Sequence, residues 1–424
     1  MLVEFTASNF MSIKEEVCLT LAARPSKDRD DTHTVTLTLP EPSIPFRLVR
    51  TTAIYGPNAA GKTNLLMALS AMQEIIRTSS QSLDKLPIAP FLFVPEYRTQ
   101  PSTFEVTLIL DGIRYQYGFS ATATRVSEEW LFAWPHGRVQ TWFRRTGDTY
   151  VFGPRLSGPK NAWKSSTRSN SLFLSTAVAL NAVQLKPITD WFSNSLHIAL
   201  MGTWSESFTA TLCRADSADD AIAKSDILDF LNGADLSVKD ISIVDEEFSV
   251  EKLPSDMPAV VRDEIVKDFR RKRLSRVIFA HDAGDNRQAE LDLRVESQGT
   301  RKLFELAGPW LDVLRDGSTI VIDELEASLH TSLVKHLLSW FHNNRTNRKG
   351  AQLIFTTHNT SVLTQDIFRR DQIWFCQRNR HLESELFPLT DFKPRKGLEN
   401  LERSYLAGRY GAIPYFHDLE QASK

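Results

Sequence analysis

Apolar residues recur along the chain either at every second position, as in strands, or about every 3.6 residues, as in helices. The first third of the chain mostly follows the two-residue period. The stretches 104–110, 112–119 and 130–143 alternate apolar and polar residues, which is typical of antiparallel strands, and 2–21 indicates a strand, a turn and a strand. Residues 62–78 instead carry apolar positions at helical spacing. We therefore predict antiparallel strands on both sides of one long helix.

The last third contains short apolar runs separated by helical stretches. The runs 318–322, 352–356 and 372–376 predict buried strands, and 301–314 and 331–341 predict helices. Strands connected through helices form a parallel sheet with helices on both faces. No heptad pattern is sustained, which excludes a long coiled-coil arm. The other predicted helices cover 172–192, 218–231 and 250–276.

Composition and charge narrow the class of protein. The 424 residues are 42% hydrophobic and 24% charged, as in a globular chain, and a net charge of −2 gives no overall attraction to nucleic acid or acidic membranes. The three cysteines are far apart and fit neither a disulfide framework nor a metal site. No membrane-spanning run or signal peptide is evident, so we expect a soluble, cytoplasmic protein with no membrane partner.

A glycine-rich turn lies between a short β-rich run and the predicted helix over 62–78. It matches G-x-x-x-x-G-K-[ST], in which backbone N–H groups surround phosphates, the lysine neutralises the β- and γ-phosphates and the hydroxyl completes a Mg²⁺ shell. The expected cofactors are ATP and Mg²⁺, with GTP left open and Thr63 as a metal ligand. The predicted nucleotide-binding residues are Gly56, Pro57, Asn58, Ala59, Ala60, Gly61, Lys62, Thr63 and Asn64.

Two acids and a histidine follow predicted buried strands. Asp323 lies where a Walker B aspartate holds Mg²⁺, and Glu324 is placed to orient or deprotonate the attacking water. His358 follows the next buried run, in the position of the switch histidine that senses the γ-phosphate in ABC ATPases. We predict that Glu324 and His358 are catalytic and that Asp323 is a metal ligand.

A short polar segment precedes the predicted helix over 301–314. Ser297, Gln298 and Gly299 resemble the ABC signature, whose hydroxyl and backbone N–H groups bind the γ-phosphate held on a partner subunit. The chain has one copy of each motif, and a subunit's signature faces away from its own phosphate loop in this architecture. We therefore expect a homodimer, or a higher homo-oligomer, that encloses ATP.

The motifs together set the expected fold. We predict an α/β fold, an ABC-type P-loop ATPase head with a mixed sheet, an antiparallel β subdomain and a helical insertion. The whole chain, 1–424, is expected to form a single ATPase domain. Its parts are an N-terminal lobe over 1–120, an inserted β and helical region over 121–290 and a C-terminal lobe over 291–424.

Longer segments extend the resemblance over nearly the whole chain. The sequence resembles stand-alone ABC ATPases related to the OLD (overcoming lysogenization defect) family of bacterial abortive-infection and anti-phage systems. The segments that carry this resemblance are 8–12, 167–175, 370–375 and 405–414. Met11 departs from SMC-like and repair ATPases, which often have a basic residue there, and no Q-loop glutamine can be placed.

The resemblance implies an ATPase, converting ATP and water to ADP and phosphate, that regulates a toxic effector in a toxin–antitoxin or abortive-infection system. OLD proteins carry a TOPRIM nuclease domain, and the segment after His358 is too short to hold one. We therefore expect a separate TOPRIM-type nuclease partner, with a nucleic acid or a phage protein as the trigger.

Two other functions stay open at this stage. One is an SMC-like or repair ATPase that clamps DNA, and the other is a nucleotide-dependent scaffold with little turnover. The basic run 270–273 could contact phosphates, but a solvated helix end favoured by the helix dipole is the preferred interpretation. Glu128 and Glu129, in the antiparallel region, are expected to lie at a solvated strand edge.

Overall fold

The structure is a computed structural model. The chain divides into two compact units. The first unit comprises Met1–Met201, Val313–Glu326 and His330–Lys424, and the second comprises Gly202–Asp312 and Ala327–Leu329. The expected lobe boundaries at 120 and 290 stay a prediction. The described residues are 1–39, 45–81, 84–200, 207–214, 222–246, 274–284, 287–395, 397 and 399–414.

Strands and helices of the described residues are numbered in chain order. The strands are β1 (Leu2–Ser8), β2 (Val17–Thr20), β3 (Thr34–Thr38), β4 (Pro45–Val49), β5 (Thr51–Tyr55), β6 (Ser102–Leu110), β7 (Ile113–Thr122), β8 (Arg125–Trp134), β9 (Gln140–Thr146), β10 (Thr149–Phe152), β11 (Leu196–Ala199), β12 (Val238–Glu246), β13 (Leu274–Asp282), β14 (Gln288–Asp292), β15 (Thr319–Ile322), β16 (Gln352–Thr357), β17 (Ile373–Arg378) and β18 (Ser384–Pro388). The α-helices are α1 (Asp30–His33), α2 (Lys62–Thr78), α3 (Lys160–Ser166), α4 (Phe173–Ala179), α5 (Lys186–Asp190), α6 (Ser207–Arg214), α7 (Lys224–Gly233), α8 (Gln298–Asp316), α9 (Thr331–Phe341) and α10 (Leu401–Leu406).

A mixed sheet forms the centre of the first unit. Its strand order is β11-β15-β16-β5-β17-β18, in which β18 alone runs antiparallel to its neighbour. Strands β5, β15 and β16 are buried at every residue, as their continuous apolar runs predict. Because these three strands are parallel, the segments that follow them meet at one edge of the sheet.

An antiparallel sheet with the order β10-β9-β8-β7-β6-β1-β2 is the second layer of the first unit. Helix α2 packs against β1 and β6 and has the predicted bounds. Its buried apolar positions lie three and four residues apart, which is the spacing of one helix face. The predicted α/β class, with a mixed sheet and an antiparallel β region, is confirmed. Among the described residues, no helix is long and apolar enough to cross a membrane.

Three predicted elements are wrong in detail. The stretch 130–143 is two strands, β8 and β9, joined by a turn. The helix over 172–192 is broken after α4, where Asn181 takes a left-handed backbone with φ of 65°, and the chain restarts as α5. The end of the helix predicted over 250–276 is wrong, because Leu274 already begins β13. Residues 250–273 of that prediction, with the basic run 270–273, lie outside the described residues.

Glu129 is fully buried, so the prediction of a solvated strand edge is wrong for this residue. Strand β8 is internal to its sheet, and the start of α4 packs over it. The Glu129 carboxylate accepts hydrogen bonds from the backbone N–H groups of Phe173 (2.6 Å) and Leu174 (2.9 Å) and from the Tyr117 hydroxyl (3.0 Å). Arg145 lies 3.7 Å away. Burial raises the pKa of Glu129, and these partners act in the opposite direction.

The second unit contains the sheet β12-β13-β14, helices α6 and α7 and most of α8. Helices α6 and α8 approach closely at Gly308, whose backbone N–H donates to the Thr209 hydroxyl at 3.1 Å. A Cβ atom at position 308 would lie 2.7 Å from that oxygen, so the contact requires glycine. Phe279 of β13 packs edge-on against Phe304 of α8 at 5.4 Å.

Candidate nucleotide site

The glycine-rich turn joins β5 to α2, and side chains of β17 and β18 hold it through hydrogen bonds. The Ala60 carbonyl accepts hydrogen bonds from the Ser384 hydroxyl (2.8 Å) and the Cys376 thiol (3.2 Å). Gly61 has a φ of 102°, and a Cβ atom there would lie 1.9 Å from the Ser384 oxygen. Position 61 therefore needs glycine both for its backbone angle and for the space it occupies.

Lys62 begins α2, and its ammonium group already has three acceptors. It donates to the carbonyls of Gly56 (3.0 Å) and Pro57 (3.1 Å) and to Nε2 of His358 (3.0 Å). Burial lowers the pKa of Lys62. Burial, followed by the charge of Lys62, also lowers the pKa of His358. Because the Lys62 ammonium group can only donate, Nε2 of His358 accepts this hydrogen bond, which places the ring proton on Nδ1.

Asp323 lies directly after β15, and hydrogen bonds to its carboxylate link the neighbouring strand β16 to α2. Its two carboxylate oxygens accept hydrogen bonds from the hydroxyls of Thr63 (2.9 Å) and Thr356 (2.6 Å). The Thr356 hydroxyl also accepts from the backbone N–H of Glu324 at 2.8 Å. A carboxylate beside a threonine hydroxyl suits Mg²⁺, which usually takes one or two protein oxygens together with phosphates and water. These residues therefore fit the implied metal.

Glu324 is held in an unusual backbone conformation next to His358. Its φ is 50°, a left-handed angle that is strained for a non-glycine residue and that is often found at functional sites. Its carboxylate lies 3.7 Å from Nε2 of His358. Two residues on, Glu326 accepts a hydrogen bond from the backbone N–H of His358 through one oxygen. The other oxygen of Glu326 is buried and has no hydrogen-bond partner among the described residues.

A cavity of about 690 Å³ opens in front of these groups, a size typical of small-molecule sites. Its polar lining comes from the glycine-rich turn with Ser12, Glu324 and His358 and from Arg378 at the end of β17. Its apolar lining comes from Met11, Ala89, Pro90, Leu92 and Phe93.

The predicted signature residues lie in the second unit. Ser297 caps α8, since its hydroxyl oxygen accepts from the backbone N–H of Thr300 at 3.1 Å. Ser297 and Gln298 are exposed. A Cβ atom at Gly299 would lie 2.8 Å from the Ser328 carbonyl, so this glycine permits a close backbone approach. Binding of a partner's phosphate by these three residues stays a prediction.

The structure thus brings together the residues of 56–64, Asp323, Glu324 and His358. Sequence reasoning missed Thr356, Glu326 and Arg378, which lie at strand ends or just after them and belong to no motif used above. It also missed the apolar lining of the cavity. The one available signal was Met11, which was noticed only as a departure from related ATPases.

The fold and this cluster of groups define a P-loop nucleotide-binding protein. A family profile described as "AAA domain, putative AbiEii toxin, Type IV TA system" matches residues 51–364. The match covers most of the chain, so the chain belongs to this family of AAA-type ATPase domains linked to toxin–antitoxin systems. A search of curated proteins found no significant match.

Solved structures with a similar course of the chain include heads of SMC proteins. One is the SMC head bound to the C-terminal winged-helix domain of ScpA, with 12% identity, a TM-score of 0.42 and coverage of 91% of this chain and 96% of that one. Another is the SMC head domain from Thermotoga maritima, with 12% identity, a TM-score of 0.40 and coverage of 91% and 98%. Likenesses at this level add nothing to the assignment of function.

Proposed function

We propose that this protein binds and hydrolyses ATP and thereby regulates a separate toxic effector in an abortive-infection or toxin–antitoxin system. The observation that carries the proposal is the meeting of Lys62, Thr63, Asp323, Glu324 and His358 at one edge of the mixed sheet. Lys62, Thr63, Glu324 and His358 line one cavity, and the Asp323 carboxylate accepts a hydrogen bond from Thr63. This combination is what phosphoryl transfer to water requires.

Each group has a distinct task in this proposal. Lys62 neutralises the β- and γ-phosphates, and Thr63 and Asp323 hold Mg²⁺, which when bound neutralises further phosphate charge. Glu324 lines the cavity and takes a proton from the attacking water. His358 reports on the γ-phosphate, because Lys62 must exchange its hydrogen bond with His358 for one with phosphate.

The regulatory part of the proposal rests on the family and on the OLD resemblance. ATP joins two chains when the signature residues 297–299 of one chain contact the γ-phosphate on the other, and hydrolysis separates them. The effector is a separate protein, and the OLD resemblance favours a TOPRIM-type nuclease. Phage infection provides the trigger through a nucleic acid or a phage protein.

The experiment compares Lys62→Ala, Glu324→Gln and the control Glu74→Gln, an exposed glutamate on the same helix as Lys62. Phosphate release, ATP affinity and mass in solution are measured for each purified protein. We expect Lys62→Ala to lose ATP binding and Glu324→Gln to bind ATP but hydrolyse it about 10²–10⁴ times more slowly. The Glu74→Gln protein should match the wild type.

Two outcomes would contradict separate parts of the proposal. Hydrolysis by Glu324→Gln at the wild-type rate would show that Glu324 has no role in catalysis. An ATP-bound Glu324→Gln protein that stays monomeric would contradict the proposed ATP-dependent dimer. In cells, unchanged protection against phage by Lys62→Ala would show that nucleotide binding does not control the effector.

A further inference from the structure

The cavity beside the phosphate loop also has an apolar lining, which includes Leu92 and Phe93. These two side chains are 59% and 58% exposed. The polar side chains that line the cavity are those of the loop, Ser12, Glu324, His358 and Arg378. Large apolar side chains exposed in a cavity form a patch that a ligand can cover.

Asn9 anchors the segment that carries Leu92 and Phe93. The Asn9 side chain accepts from the backbone N–H of Phe91 (3.0 Å) and donates to the carbonyls of Tyr97 and Gln100 (3.0 Å each). Phe91 is fully buried, and its ring packs edge-on against Phe93 at 5.5 Å. Phe93 is therefore held in place while one side of it remains open.

We propose that Leu92 and Phe93 form a platform for the base of the nucleotide whose phosphates lie on Gly56–Thr63. This inference rests on the proposed nucleotide site. The occupant follows from continuity, because the platform and the phosphate loop line the same cavity, and a bound triphosphate carries its base away from Lys62. Bases stack on aromatic side chains through their π-faces.

The platform by itself does not select the base. Stacking tolerates every base, and Leu92 and Phe93 carry no amide or charged group that distinguishes adenine from guanine. We therefore expect the platform to contribute equally to the binding of ATP and GTP.

The test measures dissociation constants of the full chain by calorimetry, with Mg²⁺ present. The variants are Phe93→Ala, the conservative Phe93→Tyr and the control Val183→Ala, which changes an apolar residue that is 79% exposed outside the cavity. The probes are ATP, GTP and inorganic tripolyphosphate. We expect Phe93→Ala to weaken the binding of ATP and GTP about tenfold or more and to leave the affinity for tripolyphosphate unchanged. Phe93→Tyr and Val183→Ala should bind as the wild type does.

The other outcomes separate this inference from the proposed function. If the wild type binds neither ATP nor tripolyphosphate, the nucleotide site itself is wrong. If it binds ATP and Phe93→Ala binds ATP equally well, the platform is wrong and the nucleotide site stands. Equal weakening of tripolyphosphate would mean that Phe93 supports the phosphate loop and not the base. Weakening of ATP without weakening of GTP would overturn the lack of base selectivity.

Discussion

Replacing Glu129 by alanine removes the centre of a buried polar cluster in the antiparallel sheet. The change leaves the first two N–H groups of α4, at Phe173 and Leu174, without their acceptor. It also leaves Arg145 buried without its carboxylate partner, although the Arg145 side chain keeps its hydrogen bonds to backbone carbonyls such as that of Ser171 (2.6 Å). The Tyr117 hydroxyl loses its acceptor as well, so the protein must then bury one uncompensated charge and three unsatisfied donors.

The size of the effect follows from these contacts. Removing one partner of a buried ion pair costs about 3–5 kcal/mol, and the retained carbonyl contacts of Arg145 favour the lower half of that range. The first unit has about 300 residues, so its entropy of unfolding is roughly 0.6 kcal/mol per kelvin. A loss of about 4 kcal/mol therefore lowers its melting temperature by about 6 °C.

Differential scanning calorimetry at neutral pH measures this change, and the neighbouring residue supplies the control. Glu128 is exposed on the opposite side of β8, so Glu128→Ala should shift the transition by less than about 1 °C. Glu129→Gln keeps one acceptor oxygen and should fall between the two. If Glu129→Ala melts together with Glu128→Ala, the buried carboxylate does not stabilise the fold and the reasoning is refuted.

Two further predictions concern the site and the pH dependence of stability. Glu326→Ala removes the acceptor for the backbone N–H of His358, so we expect ATP turnover to fall about tenfold or more with a smaller change in KM. Glu326→Gln should restore turnover through its amide oxygen, and steady-state kinetics that show a normal rate for the alanine variant would contradict this role. His33 stacks on His342 with ring centroids 3.7 Å apart, and burial lowers the pKa of His33 from 6.5 to about 4. Because the unfolded chain binds this proton at a higher pH than the folded chain does, stability is lost as the pH falls from 6.5 towards 4, by roughly 3 kcal/mol at the lower limit. Urea denaturation at pH 7.5 and 5 should show a smaller loss for His33→Gln, and equal losses for the two proteins would contradict the assignment.

Local patterns were sufficient for the elements that carry the phosphate chemistry. Helix α2 has the bounds that its apolar spacing predicts, because the glycine-rich turn and a helix start are local features. The buried strands before Asp323 and His358 were recognisable because a strand that is covered on both faces must be apolar throughout. The family match over 51–364 spans the stretch from Gly56 to His358 that contains the predicted motifs.

Features that depend on distant residues could not be predicted in this way. Strand β11 pairs with β15 across more than a hundred residues, and nothing in its four residues marks that pairing. The burial of Glu129 depends on where α4 packs, and a glutamate beside another glutamate has the local pattern of a solvated edge. The break after α4 also lies inside a stretch with helical spacing.

The sequence by itself determined the phosphate loop, the two acids and the histidine, because each is a short motif at the end of an element with a clear period. Only the tertiary structure decided that Thr356 joins Asp323 to Glu324, that Ser384 requires glycine at 61 and that Phe93 shares a cavity with Lys62. A motif consists of residues that are neighbours in the sequence, whereas these contacts join residues that are between about 30 and 320 positions apart. Packing of strands and helices brings them together, and packing energy depends on the whole fold and not on any single segment.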